Sequence, residues 1–236
     1  MSSFGGGNYV DWFLTFSSKT LVSAILSTVV IQKVGGYCFK LSAGPITVAV
    51  NPPSQRSKKH KFSKFGAEVV LVSLSDPDWN GVETATHGEK EPFAIQGPGA
   101  YEVGDVSVSG YSTASDYGEA VSEVGNTIYV VSMDGMRLLI LGAISSPKLP
   151  SEIRSELDDI DIVFVPVGGS TLDAKAAHEL VTGIEPHAVI PYAVDDDKAI
   201  AAFLKAEGET GLKPTDKFTI RPKELATMDG DVVLLE

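Results

Sequence analysis

Four aliphatic residues, Val69-Val70-Leu71-Val72, run without a break into Ser73-Leu74-Ser75-Asp76-Pro77-Asp78-Trp79-Asn80-Gly81. A run this short, apolar and β-branched reads as a buried strand, and it delivers a polar turn with two carboxylates. Similar strand-like runs recur at short intervals. In the first half they cover residues 28–33, 37–41, 46–50, 93–96, 101–103 and 106–111, separated by turns such as Gly35-Gly36 and Ala43-Gly44-Pro45. Further runs cover 127–133, 137–141, 162–165 and 188–190, with a closing strand near 232–235. Helical spacing enters at 151–157, 173–182 and 197–207, and Asp173 is placed as an N-cap. Hairpins dominate the first half. That favours one α/β domain with two sheets and flanking helices over a doubly wound parallel sheet.

A chain of 236 residues with 43% hydrophobic content has enough apolar mass for one large core. The net charge of −12 disfavours nucleic acid and anionic membrane as partners. A single cysteine, Cys38, forms no internal disulfide and suits a reducing compartment, so the expected location is cytoplasmic. Near the N-terminus, Val10, Phe13, Leu14, Leu21, Val22, Ile25 and Leu26 recur at helical spacing. Asp11 and Lys19 interrupt this stretch, and its uninterrupted apolar part falls short of the ~20 residues that span a bilayer. Residues 1–27 are therefore expected to form a leader and an amphipathic helix that packs on the domain or on a second copy of the chain. Residues 28–236 are expected to form a single domain.

The order of motifs resembles the metallo-β-lactamase superfamily. In that family a strand ends in Thr/Ser-His-x-His-x-Asp-His-x-Gly; here Ser73, Asp78 and Gly81 match, whereas Leu74, Asp76 and Trp79 occupy the histidine positions. Asn126-Thr127-Ile128-Tyr129-Val130 and the segment from Met133 to Gly142 are similar to the strand pair before the second metal motif. Asp161-Ile162-Val163-Phe164-Val165-Pro166-Val167-Gly168-Gly169 and Glu185-Pro186-His187-Ala188-Val189-Ile190-Pro191 are similar to the strands that follow. The likeness spans roughly 28–236 and looks closest to the ascorbate-6-phosphate lactonase-like branch. It implies a four-layer αββα sandwich, with a zinc site on the loops at one edge of the two sheets.

The resemblance also implies where ligands should stand, and nearly all of them are replaced. Ser115 takes the place of the histidine before the Asn126 strand, Ala143 that of the bridging aspartate and Ala193 that of the terminal histidine. Leucine, tryptophan and alanine offer zinc no ligand atom. The four histidines present, His60, His87, His178 and His187, show no i,i+4 or His-x-His spacing and read as solvated surface residues. Three carboxylates remain near the old site: Asp76, Asp78 and Asp116. Together they would suit Mg²⁺, Ca²⁺ or Mn²⁺ better than zinc. Asp76 or Asp78 equally reads as a cap on the following turn.

Other motifs are less specific. The basic run Arg56-Ser57-Lys58-Lys59-His60-Lys61-Phe62-Ser63-Lys64 reads as a solvated loop, or as a guide for a small anionic molecule. Asp195-Asp196-Asp197 reads as the start of a helix, where negative charge complements the dipole. Gly168-Gly169-Ser170-Thr171 reads as a turn, and no histidine is placed to activate a serine. The expectation is a fold that has lost its zinc centre and acts as a binding or assembly module without catalytic residues or a required cofactor. The alternative is a hydrolase of a small ester, lactone or phosphoester that uses the residual aspartates with Mg²⁺ or Mn²⁺.

Overall fold

The structure is a computed structural model that describes residues 28–89, 91–118, 122–196 and 198–236, with side chains of 122–124 left aside. The amphipathic segment expected within residues 1–27 lies outside the described residues. Strands β1 (Val29–Gly35), β2 (Cys38–Ala43), β3 (Ile46–Val50), β4 (Val69–Leu71), β5 (Phe93–Ile95) and β12 (Phe218–Ile220) form one sheet in the order β12-β1-β2-β3-β4-β5. The second sheet takes β6 (Gly99–Val103), β7 (Val106–Ser115), β8 (Ser122–Met133), β9 (Met136–Ile140), β10 (Ile162–Val167), β11 (Ala188–Ala193) and β13 (Asp231–Val232), in the order β13-β11-β10-β9-β8-β7-β6. Both sheets are mixed. Antiparallel hairpins give way to parallel pairs at β3–β4–β5 and again at β9–β10–β11–β13.

The apolar runs are continuous because both faces of the central strands are buried. Val69 and Leu71 face the core between the sheets, while Val70 and Val72 join Ala49, Ala67 and Ala85 on the outer face. In the second sheet Leu138, Ile140, Ile162 and Phe164 point into the same central core. Their neighbours Leu139, Leu141, Val163 and Val165 pack under the helices. Those helices are α1 (Arg154–Leu157), α2 (Ala174–Ile184) and α3 (Lys198–Ala206); a fourth, α4 (Pro222–Leu225), instead places Leu225 in the central core. Leu180, Val181 and Ile184 of α2 and Phe203 of α3 close the layer over β10 and β11.

Most expected elements form within a few residues of their sequence boundaries. β12 and α4 were not anticipated; β12 is only three residues long and pairs with β1 at the sheet edge. Asp173 caps α2 as expected, its side chain accepting from the Ala176 N–H at 2.8 Å. Of the histidines, His87 is exposed, and the side chains of His178 and His187 stay 37% and 39% exposed at the surface, as expected; His60 is half-buried, which corrects its reading as solvated. His60 packs edge-on against Tyr37, and His178 Nδ1 lies 3.0 Å from Glu207.

Candidate functional site

The C-terminal ends of β4, β7, β9 and β11 meet at one edge of the sandwich, and Asn126 at the middle of β8 fastens three of them. Its amide N–H₂ donates to Thr113 Oγ1 (2.8 Å) and to the Leu141 carbonyl (3.0 Å), and its Oδ1 accepts from the Ala143 N–H (2.8 Å). Leu74 bridges to Asn126, while the Ser73 carbonyl accepts from Thr127 N–H at 2.8 Å. Ser115 is buried and turns inward. Its hydroxyl donates to the Ala143 carbonyl at 2.8 Å and accepts from the Tyr117 N–H at 3.2 Å. Two glycines allow the close approach. A Cβ on Gly81 would sit 2.3 Å from the Pro53 carbonyl oxygen, and Gly142 (φ +61°) would bring one within 2.5 Å of Ser73 Cβ.

The three aspartates singled out by the sequence occupy different environments. Asp76 Oδ1 accepts from the Asp78 N–H at 2.8 Å, and its carbonyl accepts from Trp79 and Asn80, so it closes the Asp-Pro-Asp turn. Asp78 is 6% exposed and both its oxygens are engaged. Oδ1 accepts from the Ser57 hydroxyl at 2.6 Å, and Oδ2 accepts from Tyr117 Oη at 2.7 Å. Asp116 is exposed on the loop after β7. Among the described residues no group of three His, Cys, Asp or Glu side chains is gathered to hold a metal ion.

A cation of the protein's own stands at this edge. Lys59, from the basic loop, places its Nζ 2.8 Å from Asp195 Oδ2, 3.1 Å from Tyr117 Oη and 3.8 Å from Asp78 Oδ2. The same ammonium lies 4.7 Å from the centre of the Tyr117 ring. Asp195 is tied from its other side by Tyr37, whose hydroxyl donates to Oδ1 at 2.8 Å. Burial alone would raise the Asp195 carboxyl; the bonds from Lys59 and Tyr37 outweigh it and hold the group below its ordinary range. Lys59 follows the same logic. Partial burial favours the neutral amine, but the carboxylates keep its pKa above the usual lysine value. Burial raises both tyrosines, reinforced at Tyr37 by its bonds to Tyr117 and Asp195, so both stay neutral donors.

Aromatic packing fills the rest. Trp79 is fully buried and stacks on Tyr37, with ring centres 4.3 Å apart and planes 27° from parallel; Tyr117 meets it edge-on at 5.4 Å. Leu74, Trp79, Tyr117, Ala143 and Tyr37 all belong to the central core. Among the described residues, Trp79 Nε1, Ser73 Oγ, His60 Nε2 and Asn80 Oδ1 are buried here without a hydrogen-bonding partner.

Sequence reasoning missed Tyr37, Ser57, Lys59, Tyr117 and Asp195 as members of this cluster. The acidic run 195–197 leads into α3 as expected, with Asp196 accepting from the Lys198 N–H at 3.0 Å, but Asp195 itself sits in a left-handed turn (φ +56°) and faces Lys59. No local pattern signals these contacts, since Tyr37 and Lys59 reach Asp195 across 158 and 136 residues of chain.

The geometry agrees with comparisons to known proteins. No curated protein matches the chain at a significant level. Among solved structures, a proposed zinc-dependent hydrolase of the metallo-β-lactamase superfamily from Thermotoga maritima is similar, with TM-score 0.67 and 23% identity over 88% of this chain and 98% of that one. A proposed metal-dependent hydrolase from Parabacteroides distasonis follows, with TM-score 0.62 and 16% identity over 89% and 94%. The diiron β-hydroxylase CmlA from Streptomyces venezuelae shares the fold at TM-score 0.54 and 15% identity, over 82% of this chain and 54% of CmlA. The β-lactamase superfamily domain model matches residues 30–193, and the chain belongs to that family.

Proposed function

We infer that the chain keeps the metallo-β-lactamase scaffold without its zinc centre and works as a non-catalytic binding or assembly module. One observation carries this reading: the Lys59 ammonium supplies positive charge among Asp78, Tyr117 and Asp195, the groups gathered at the strand ends. Zinc in this fold needs imidazoles and carboxylates converging at about 2 Å, with an open position for water. Asp76 Oδ1 is committed to a backbone N–H, both Asp78 oxygens accept hydroxyl protons, and Leu74, Trp79 and Ala143 carry no ligating atom. This donor set does not fit zinc. Supplying zinc and assaying lactones, phosphodiesters and β-lactams should give no turnover above the blank. Zinc-dependent turnover that a chelator removes would overturn the reading.

A second reading is favoured by the exposed Asp116 and by neighbours named as metal-dependent hydrolases. In it Asp76, Asp78 and Asp116 hold Mg²⁺ or Mn²⁺ and activate water against a small ester, lactone or phosphoester. The order of motifs is similar to the ascorbate-6-phosphate lactonase-like branch. Asp76→Asn with Asp78→Asn would then abolish hydrolysis and leave the fold intact. A double variant that only melts earlier supports the capping role instead. Among the described residues no helix is long and apolar enough to cross a membrane. The cytoplasmic location expected from the sequence rests on the single cysteine.

A further inference from the structure

We propose that the cleft between β7 and the segment from Ile144 to Arg154 binds a small amphipathic anion, an apolar body carrying one phosphate or carboxylate. Ser112, Thr113 and Ala114 of β7 form one wall of a hollow of about 500 Å³, and Ile144, Leu149 and Pro150 form the apolar part of the other. A second hollow of about 330 Å³ continues between the same segment and Leu180 and Ile184 of α2. Together they offer the volume of an ordinary ligand site. Lys148 and Arg154 line both hollows and stand at their junction.

The polar equipment of the cleft is matched to an acceptor. Both cations are exposed, and among the described residues neither has an ion-pair partner, in a chain whose net charge is −12. Of the two acidic residues of the lining, Glu179 lies 3.5 Å from Lys175, and Glu152, which accepts from the Ser151 hydroxyl at 3.1 Å, keeps its charge and is outnumbered by the two cations. Thr113 Oγ1 accepts from Asn126, and Ser146 Oγ accepts from the Lys148 N–H at 3.3 Å, which leaves both hydroxyl protons to donate. An ammonium, a guanidinium and two hydroxyl donors bordered by aliphatic walls suit a group that only accepts, joined to a body that prefers to leave water. The cleft does not depend on how the strand-end cluster is read.

The test is amide NMR of the full chain titrated with phenyl phosphate, and separately with inorganic phosphate and benzyl alcohol. Phenyl phosphate should shift the amides of Ser112, Ala114, Ser146 and Leu149 saturably, and bind roughly tenfold or more tighter than either fragment. The exposed double variant Lys148→Glu with Arg154→Glu should keep the wild-type melting temperature and lose this response. Absence of a saturable shift, an equal response in the double variant, inorganic phosphate or benzyl alcohol binding as tightly, or shifts centred on residues 56–64 would each overturn the proposal.

Discussion

At the scale of single residues, Asp78 is the most exacting position. Its carboxylate satisfies Ser57 and Tyr117, and it lies near the Lys59 ammonium. Asp78→Ala leaves the buried Tyr117 hydroxyl only the longer bond to Tyr37 Oη at 3.4 Å and takes the acceptor from Ser57, so chemical denaturation should show a loss of roughly 1–3 kcal/mol. Trp79→Ala empties a fully buried indole site against Tyr37 and should cost about 3–5 kcal/mol in the same measurement. The Lys59–Asp195 pair has a definite pH signature. The Asp195 carboxyl is depressed on folding, so its contribution is present above the ordinary value of 3.8 and is lost as pH falls through the lower folded value. Lys59 is raised, so its contribution persists through 10.5 and is lost as pH rises through the higher folded value. The stability difference between wild type and Lys59→Met should therefore be flat from mildly acidic to mildly alkaline pH and narrow at both extremes. Both side chains are partly exposed, so the plateau itself should be modest. A difference that grows on acidification would contradict the assignment.

Among the elements, the turn after β4 shows what the sequence revealed and what it hid. The run Val69 to Val72 predicts a buried strand because alternate side chains serve two cores, and the structure bears that out. The Asp-Pro-Asp turn was legible too, since a short acidic side chain that bonds two residues ahead is a local device. The partners of Asp78 were not, because they come from a loop 21 residues earlier and from the loop after β7. Lys59 was hidden inside a basic run that composition alone assigns to solvent. Asp195 was hidden inside an acidic run that dipole reasoning assigns to the start of α3. Its left-handed backbone is tolerated because Tyr37 and Lys59 hold the side chain from two sides. Local caps behave more simply. Asp173→Ala removes the acceptor for the Ala176 N–H and should lower stability by about 1 kcal/mol, read from a thermal or urea melt.

For the whole molecule, two sheets share one core and bring the ends of β4, β7, β9 and β11 to a single edge, the place where this family resemblance implies a metal. That edge is packed by Leu74, Trp79, Ala143, Tyr37 and Tyr117, and its carboxylates and phenols surround an ammonium of the same chain. A fold shared with metal-dependent hydrolases does not carry their chemistry with it, because the chemistry belongs to the residues at the edge. The most direct test is the metal content of the chain purified without chelators or a nickel column, read by plasma mass spectrometry after dialysis against zinc. Retention of zinc, iron or manganese far below one equivalent is the predicted result, with Lys59→Met changing stability and leaving that content unchanged. A stoichiometric transition metal in the wild-type protein would contradict the account.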